Sequence, residues 1–240
     1  MLEAKDVSVF YGAIRAVSDV DVTVVPGEVT VMLGANGAGK TSTLGAVSGV
    51  LAHSGTVTVD GEPVANPGEA RRRGVVQVVQ GRGLFRGLTV EQNLRLGAYG
   101  QSRRVARQAI GEAVDHIPEV GQWMGRKVAS LSGGQQALVA LARLMAGRPK
   151  YALLDEPTLS LAPVAVDRLY RELKGLVAQG VGLLLVEQYV PRAMSLADRL
   201  VVLERGRTIY SGDPQGAGGA EDLVAAYLGS PATAHLGVQS

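Results

Sequence analysis

Residues 34–41 read Gly34-Ala35-Asn36-Gly37-Ala38-Gly39-Lys40-Thr41, a run that fits G-x-x-x-x-G-K-[ST]. The apolar run Val29-Thr30-Val31-Met32-Leu33 before it reads as a buried strand. Thr41-Ser42-Thr43-Leu44-Gly45-Ala46-Val47 after it can start a helix. Strand, glycine loop and helix form the context in which this pattern cradles phosphate. Gly34, Gly37 and Gly39 let the backbone turn tightly and approach a ligand with no Cβ in the way. The amides freed there, with those of the helix start, point at an anion. Lys40 then reaches the β- and γ-phosphates of a nucleotide, and Thr41 offers its hydroxyl to Mg²⁺.

Further along, Leu153-Leu154-Asp155-Glu156 places two acids at the end of another apolar strand. In an open parallel sheet, ligands gather at the carboxyl ends of strands, so these acids can face the nucleotide held by the glycine loop. Asp155 suits Mg²⁺, directly or through water, and Glu156 suits the attacking water.

The rest of the chain fits a doubly covered sheet. Alternating Val7, Val9, Val20, Val22 and Val24 predict antiparallel strands with one wet face, and Gly55–Gly61 predicts another short strand. Val75–Val79 predicts a strand buried on both faces, and strands return with Tyr151–Leu154 and Gly182–Val186. Leu200–Leu203 and Thr208–Tyr210 predict a hairpin across Gly206. From about 85 to 147 the periodicity turns helical (Val105, Ala109, Ala113, Ile117) and β-branched runs vanish. The expected fold class is therefore α/β: a mostly parallel sheet carrying the phosphate loop, an antiparallel β subdomain, and an inserted α-helical subdomain. Residues 1–230 are expected to form one domain, and Pro231–Ser240, small and polar, a loose tail.

Composition narrows the classes. The chain has 240 residues, 46% hydrophobic and 19% charged, with a net charge of +2, too small to argue for a nucleic-acid partner. It has no cysteine, which excludes disulfides and thiolate metal sites. No apolar stretch reaches the roughly 18–20 residues that cross a bilayer, and Met1–Asp6 does not resemble a signal peptide. Arg71-Arg72-Arg73 reads as a solvated helix face. Trp123 and Met124 read either as packing within the helical block or as a contact for a membrane subunit.

A third motif identifies a resemblance. Leu131-Ser132-Gly133-Gly134-Gln135, between the glycine loop and the acidic strand, resembles the signature of ATP-binding-cassette (ABC) ATPases. Ser132 also suits a helix N-cap. The resemblance spans about Leu2 to Leu228 and implies ATP and Mg²⁺ as cofactors. It implies that Tyr11 stacks on adenine, a contact of about 1–3 kcal/mol by analogy with other base–aromatic pairs. Asn36, Ala38 and Ser42 fall with the loop residues in the ATP site. Gln80 matches the glutamine that senses Mg²⁺ and γ-phosphate, and Gln188 stands where most of the superfamily has histidine. Lys40, Gln80, Glu156 and Gln188 form the implied catalytic set, and Thr41, Gln80 and Asp155 the implied metal set.

The same resemblance implies a head-to-tail pair of cassettes, identical or paralogous, with the signature of one facing the ATP of the other. It further implies transmembrane permease subunits, a solute-binding protein acting through them, and a peripheral place on the cytoplasmic face of the membrane. Residues 85–100 are the implied docking region, with Phe85 and Leu88 as candidate apolar contacts or as core. Gln80-Gly81-Arg82, Leu88–Leu94, Leu159-Ser160-Leu161-Ala162-Pro163 and Val186-Glu187-Gln188 are similar to importer subunits for branched-chain and other hydrophobic amino acids. Several positions depart from relatives. Ser160 stands where many carry Gly, Ala162 where many carry Asp, and Leu138 where many carry Arg. Gln80 itself is more like importers of urea or short amides, and a soluble ABC ATPase is a further alternative. Glutamine at 188 cannot titrate. With only His53, His116 and His235 in the chain, no histidine is expected to take part in hydrolysis.

Overall fold

A computed structural model describes residues 1–188 and 190–215. The tail, His235 and the carboxyl end of the expected domain lie outside these residues. The strand β1 (Leu2–Tyr11) turns at Gly12 into β2 (Ile14–Val24). With β4 (His53–Val59) and β5 (Glu62–Pro63) these form an antiparallel sheet of order β2-β1-β4-β5. A second sheet combines β3 (Val29–Gly34), β6 (Val75–Val78), β7 (Tyr151–Asp155), β8 (Gly182–Val186), β9 (Arg199–Glu204) and β10 (Arg207–Gly212). Its order is β10-β9-β3-β8-β7-β6, parallel throughout except for the β9–β10 hairpin.

Strand periodicity divides the core. Val31, Leu33, Ala152, Leu154, Leu183 and Leu185 face one apolar cluster, shared with the helices that follow. Met32, Tyr151, Leu153, Leu184 and Val186 face the other, packed between the two sheets and against α1 (Lys40–Val47). Burial on two faces explains why these strands read as unbroken apolar runs. The β6 strand departs from that expectation. Among the described residues it pairs only with β7; Val76 and Gln77 remain half-buried and Val79 lies beyond its end, exposed.

Between β6 and β7 the chain forms α3 (Val90–Gly97), α4 (Arg103–His116), α5 (Pro118–Gly121) and α6 (Gly133–Ala146). Thr89 caps α3 reciprocally with Gln92, and Ser102 caps α4. Ala109, Ala113 and Ile117, spaced by four, point into the core, and Trp123 and Met124 pack against it. The arginine run also differs from its expected role. Arg71, on α2 (Pro67–Arg72), donates to Gly147 O at 2.7 Å and Gly97 O at 3.0 Å. It therefore ties the sheet side to the ends of α6 and α3 rather than lying in solvent. No helix of the described residues is long and apolar enough to cross a membrane.

Candidate active site

Sheet order assembles the site. The neighbours β3, β8, β7 and β6 run parallel, so their carboxyl ends lie side by side. The glycine loop and α1 follow β3, Gln188 follows β8, Asp155 ends β7 with Glu156 directly after it, and Gln80 follows β6. Residues far apart in the chain thus meet. Thr41 Oγ1 donates to Asp155 Oδ2 at 2.8 Å. Gln80 Nε2 donates to Glu156 Oε2 at 2.9 Å, and Gln188 Nε2 to Glu156 Oε1 at 2.5 Å. Lys40 Nζ lies 3.9 Å from Glu156 Oε1.

The loop geometry explains its glycines individually. Gly37 (φ 80°) and Gly39 (φ 98°) adopt left-handed backbone, which glycine takes without a Cβ penalty. Gly34 serves differently: a Cβ there would sit 2.6 Å from Leu203 O and 2.9 Å from Ala38 Cβ. Among the described residues, the amides of Gly37, Gly39, Lys40, Thr41 and Ser42 make no backbone hydrogen bond. The start of α1 has no side-chain cap either. An unfilled helix start of this kind presents donors and a positive dipole end to an anion. Asn36 and Ala38 lie within the same loop, Ala38 N closing a turn onto Ala35 O at 3.1 Å. Tyr11, half exposed at the end of β1, places its hydroxyl 3.3 Å from Ser42 Oγ.

Charge is concentrated and buried. Lys40, Asp155 and Glu156 are all buried. Lys40 Nζ donates to Gly34 O at 2.8 Å and Ala35 O at 3.1 Å. Burial holds its pKa below the usual lysine value, although Glu156 and then Asp155 pull the other way. Burial likewise pushes the Asp155 carboxyl up; the Thr41 hydroxyl and Lys40 oppose that shift, while the Glu156 charge adds to it. Asp155 Oδ1 is buried without a hydrogen-bond partner, an orphaned acceptor that suits a cation.

The signature segment stands apart. Ser132 Oγ accepts from Gln135 N at 3.3 Å, and Gln135 Oε1 accepts from Ser132 N at 2.9 Å, a reciprocal cap on α6. Leu131 is buried beneath it, and Gly133 and Gly134 supply the first helical turn. Among the described residues, no hydrogen bond joins 131–135 to the glycine loop. Neither described histidine enters the site: His53 contacts Leu51 O, and His116 lies 3.1 Å from Glu172.

Sequence reading did not single out Arg82 or Arg143. Arg82, itself at φ 71°, donates to Leu159 O at 3.3 Å, and Arg143 of α6 donates to Gly83 O. Together they clasp the 3₁₀ turn Gln80–Gly83 between the segment after β7 and the signature helix. Ser160, where the resemblance implies glycine in many relatives, has φ 61°, the left-handed region that favours glycine.

Ala162, where the resemblance implies Asp in many relatives, occupies the N-cap of α7 (Pro163–Ala178) and makes no side-chain cap. An Ala162→Asp variant is expected to gain about 1 kcal/mol from capping the helix, raising Tm by about 2–4 °C in calorimetry.

The comparisons agree with this geometry. The ABC transporter family model matches residues 17–159. The branched-chain amino acid transport ATP-binding protein BraG of Pseudomonas aeruginosa is 35% identical over 212 residues, 87% of this chain and 91% of BraG. The lipopolysaccharide export ATP-binding protein LptB of Escherichia coli is 33% identical, covering 95% of this chain and 97% of LptB. The solved ADP conformation of an ABC transporter cassette superposes with a TM-score of 0.84 at 24% identity, covering 95% of this chain and 98% of that one, which speaks to the fold. Glycine loop, signature helix and acid-tipped β7 therefore belong to one machine, and the chain is an ATP-hydrolysing cassette of the ABC transporter family.

Proposed function

We propose that this cassette powers an importer of branched-chain amino acids. Residues 1–230 would act as one ATPase domain, with the helical subdomain of about 85–147 inserted in it. The observation that carries the catalytic reading is the clamped Glu156 carboxylate, each oxygen held by a glutamine amide beside Lys40. In this reading the loop amides and Lys40 hold the phosphates, Tyr11 stacks on the base, and Glu156 orients the attacking water and accepts its proton. Asp155 and Thr41, with the carbonyl oxygen of Gln80, are a hard-oxygen set for Mg²⁺. One carboxylate with phosphates completing the shell is the usual arrangement for that ion. Bound there, Mg²⁺ would neutralise charge developing on the phosphates. The unpartnered Oδ1 of Asp155 supports that fit.

Assembly follows from the separation of the signature from the loop. A second cassette, identical or paralogous, would bring its Ser132-Gly133-Gly134 helix start to the γ-phosphate. Permease subunits would hold the pair at the cytoplasmic face of the membrane and receive solute from a binding protein. Phe85, 53% exposed at the edge of the helical block, is the apolar contact offered to them, whereas Leu88 is half-buried.

The amino-acid cargo is supported by the likeness to BraG and by the Leu88–Leu94 and Val186-Glu187-Gln188 runs. Gln80 favours urea or a short amide as a second reading. Purified with its permease and binding protein, the complex should hydrolyse ATP faster when leucine, isoleucine or valine is added. Stimulation by urea or acetamide alone would transfer the assignment to the second reading.

A further inference from the structure

Glu187 directly follows β8, one residue before Gln188, and is 2% exposed. Thr158 Oγ1 lies 2.8 Å from one of its oxygens and 2.9 Å from the other. That hydroxyl is a neutral donor, and burial pushes the Glu187 carboxyl above the usual range, with the Glu156 charge adding to the shift. Tyr170 of α7 packs nearby, its phenol raised by burial and then by the Glu187 charge. A buried acid held this way costs stability unless its hydrogen bonds compensate, so its placement calls for a reason beyond packing.

That reason lies in the segment it grips. From Glu156 (φ 47°) to Ser160 (φ 61°) the chain passes two left-handed non-glycine residues. Turns close it locally, Leu159 N to Glu156 O at 3.1 Å and Leu161 N to Thr158 O at 3.0 Å. Such backbone costs on the order of 1–3 kcal/mol per residue and persists only where the surroundings over-determine it. Thr158 sits two residues after Glu156 and bonds Glu187; Gln188, next to Glu187, bonds back to Glu156. The contacts close a ring, Glu156–Pro157–Thr158 against Glu187–Gln188, with Glu156 N also donating to Val186 O at 3.0 Å.

We infer that Glu187 is a positioning residue for hydrolysis. By fixing Thr158 it holds the kinked backbone at Glu156, so that the Glu156 carboxylate meets Gln80 and Gln188 together. The inference rests on Glu156 being the group that handles water, as proposed above.

The test is MgATP turnover by the full chain carrying Thr158→Val, Glu187→Ala, Glu187→Gln or the Thr158→Val/Glu187→Ala pair. Each of Thr158→Val and Glu187→Ala should lower kcat about 10- to 100-fold, the usual effect of misplacing a reacting group by about 1 Å. KM for ATP should stay close to the parent's, because no phosphate contact is removed. The double variant should be no slower than the slower single one, since both remove one interaction. Glu187→Gln, whose amide oxygen still accepts the Thr158 hydroxyl proton, should recover most of the rate. Parental kcat in Thr158→Val, losses that multiply in the double variant, or equal losses in Glu187→Gln and Glu187→Ala would each overturn the inference. If Glu187→Ala does not fold, Thr158→Val decides alone. A Glu156→Gln control separates the two levels. Turnover surviving in it refutes the reading of the site, whereas an inert control beside fully active Thr158→Val refutes only the role of Glu187.

Discussion

Glu156→Gln is expected to stop hydrolysis while leaving ATP bound. Both oxygens of Glu156 accept hydrogen bonds from glutamine amides, so the carboxylate is fixed in orientation before substrate arrives. A glutamine in its place has nearly the same shape, but its NH₂ end cannot accept a proton from water. That end would also face one of two amide donors, which must then rotate away. The loss expected for removing a general base is about 10²- to 10⁴-fold in kcat. Lys40, Thr41 and the loop amides are untouched, so nucleotide affinity should remain close to the parent's. With ATP held and not cleaved, two cassettes should stay closed around it. Phosphate release, a nucleotide-binding titration and gel filtration with and without MgATP measure the three parts. Turnover equal to the parent's, in protein that binds ATP, would remove Glu156 from its role.

What the sequence made legible is what lies close along the chain. The glycine loop, the Asp155-Glu156 pair and the Ser132 cap are each set by residues a few positions apart, and their chemistry follows from residue type and spacing. The strands of the main sheet could be read because burial on both faces leaves continuous apolar runs. The edge position of β6 could not, since a β-branched run carries no mark of how many neighbours a strand has. Other contacts depend on sheet order. Arg71 meets Gly147 across 76 positions, and Thr158 meets Glu187 across 29. Nothing local distinguishes Arg71 from Arg72 beside it, although one clamps two helix ends and the other is exposed. Gly34 illustrates the same limit: its place in the motif suggests closeness to a ligand, whereas its neighbour in the structure is the Leu203 carbonyl of β9.

Lys40→Met is expected to separate binding from folding more sharply than any other change at the site. The ammonium is buried, and desolvation outweighs the attraction of Glu156 and Asp155, so its pKa is driven down. A lysine shifted in that direction is harder to charge when folded than when unfolded. Its penalty is therefore present at neutral pH and disappears only as pH rises past the ordinary lysine pKa. Replacing it by methionine keeps most of the apolar stem and removes that penalty. The replacement also strips the donor from Gly34 O and Ala35 O and leaves two acids without their cation. These effects oppose each other, but removing one partner of a buried charge cluster leaves the other charges unpaired, a loss that the relieved lysine penalty offsets only in part, so Tm should fall modestly. Binding has no such compensation. A triphosphate brings negative charge to a pocket that already holds Asp155 and Glu156, and Lys40 is the cation placed between them and the loop. Losing one charge-assisted hydrogen bond of about 2–3 kcal/mol should weaken MgATP by roughly 30- to 150-fold in Kd. Calorimetric unfolding and nucleotide titration on the same sample test both halves. Unchanged affinity at a modestly lowered Tm would mean that the phosphates are held elsewhere, whereas a collapse of Tm would make the lysine a structural cation after all.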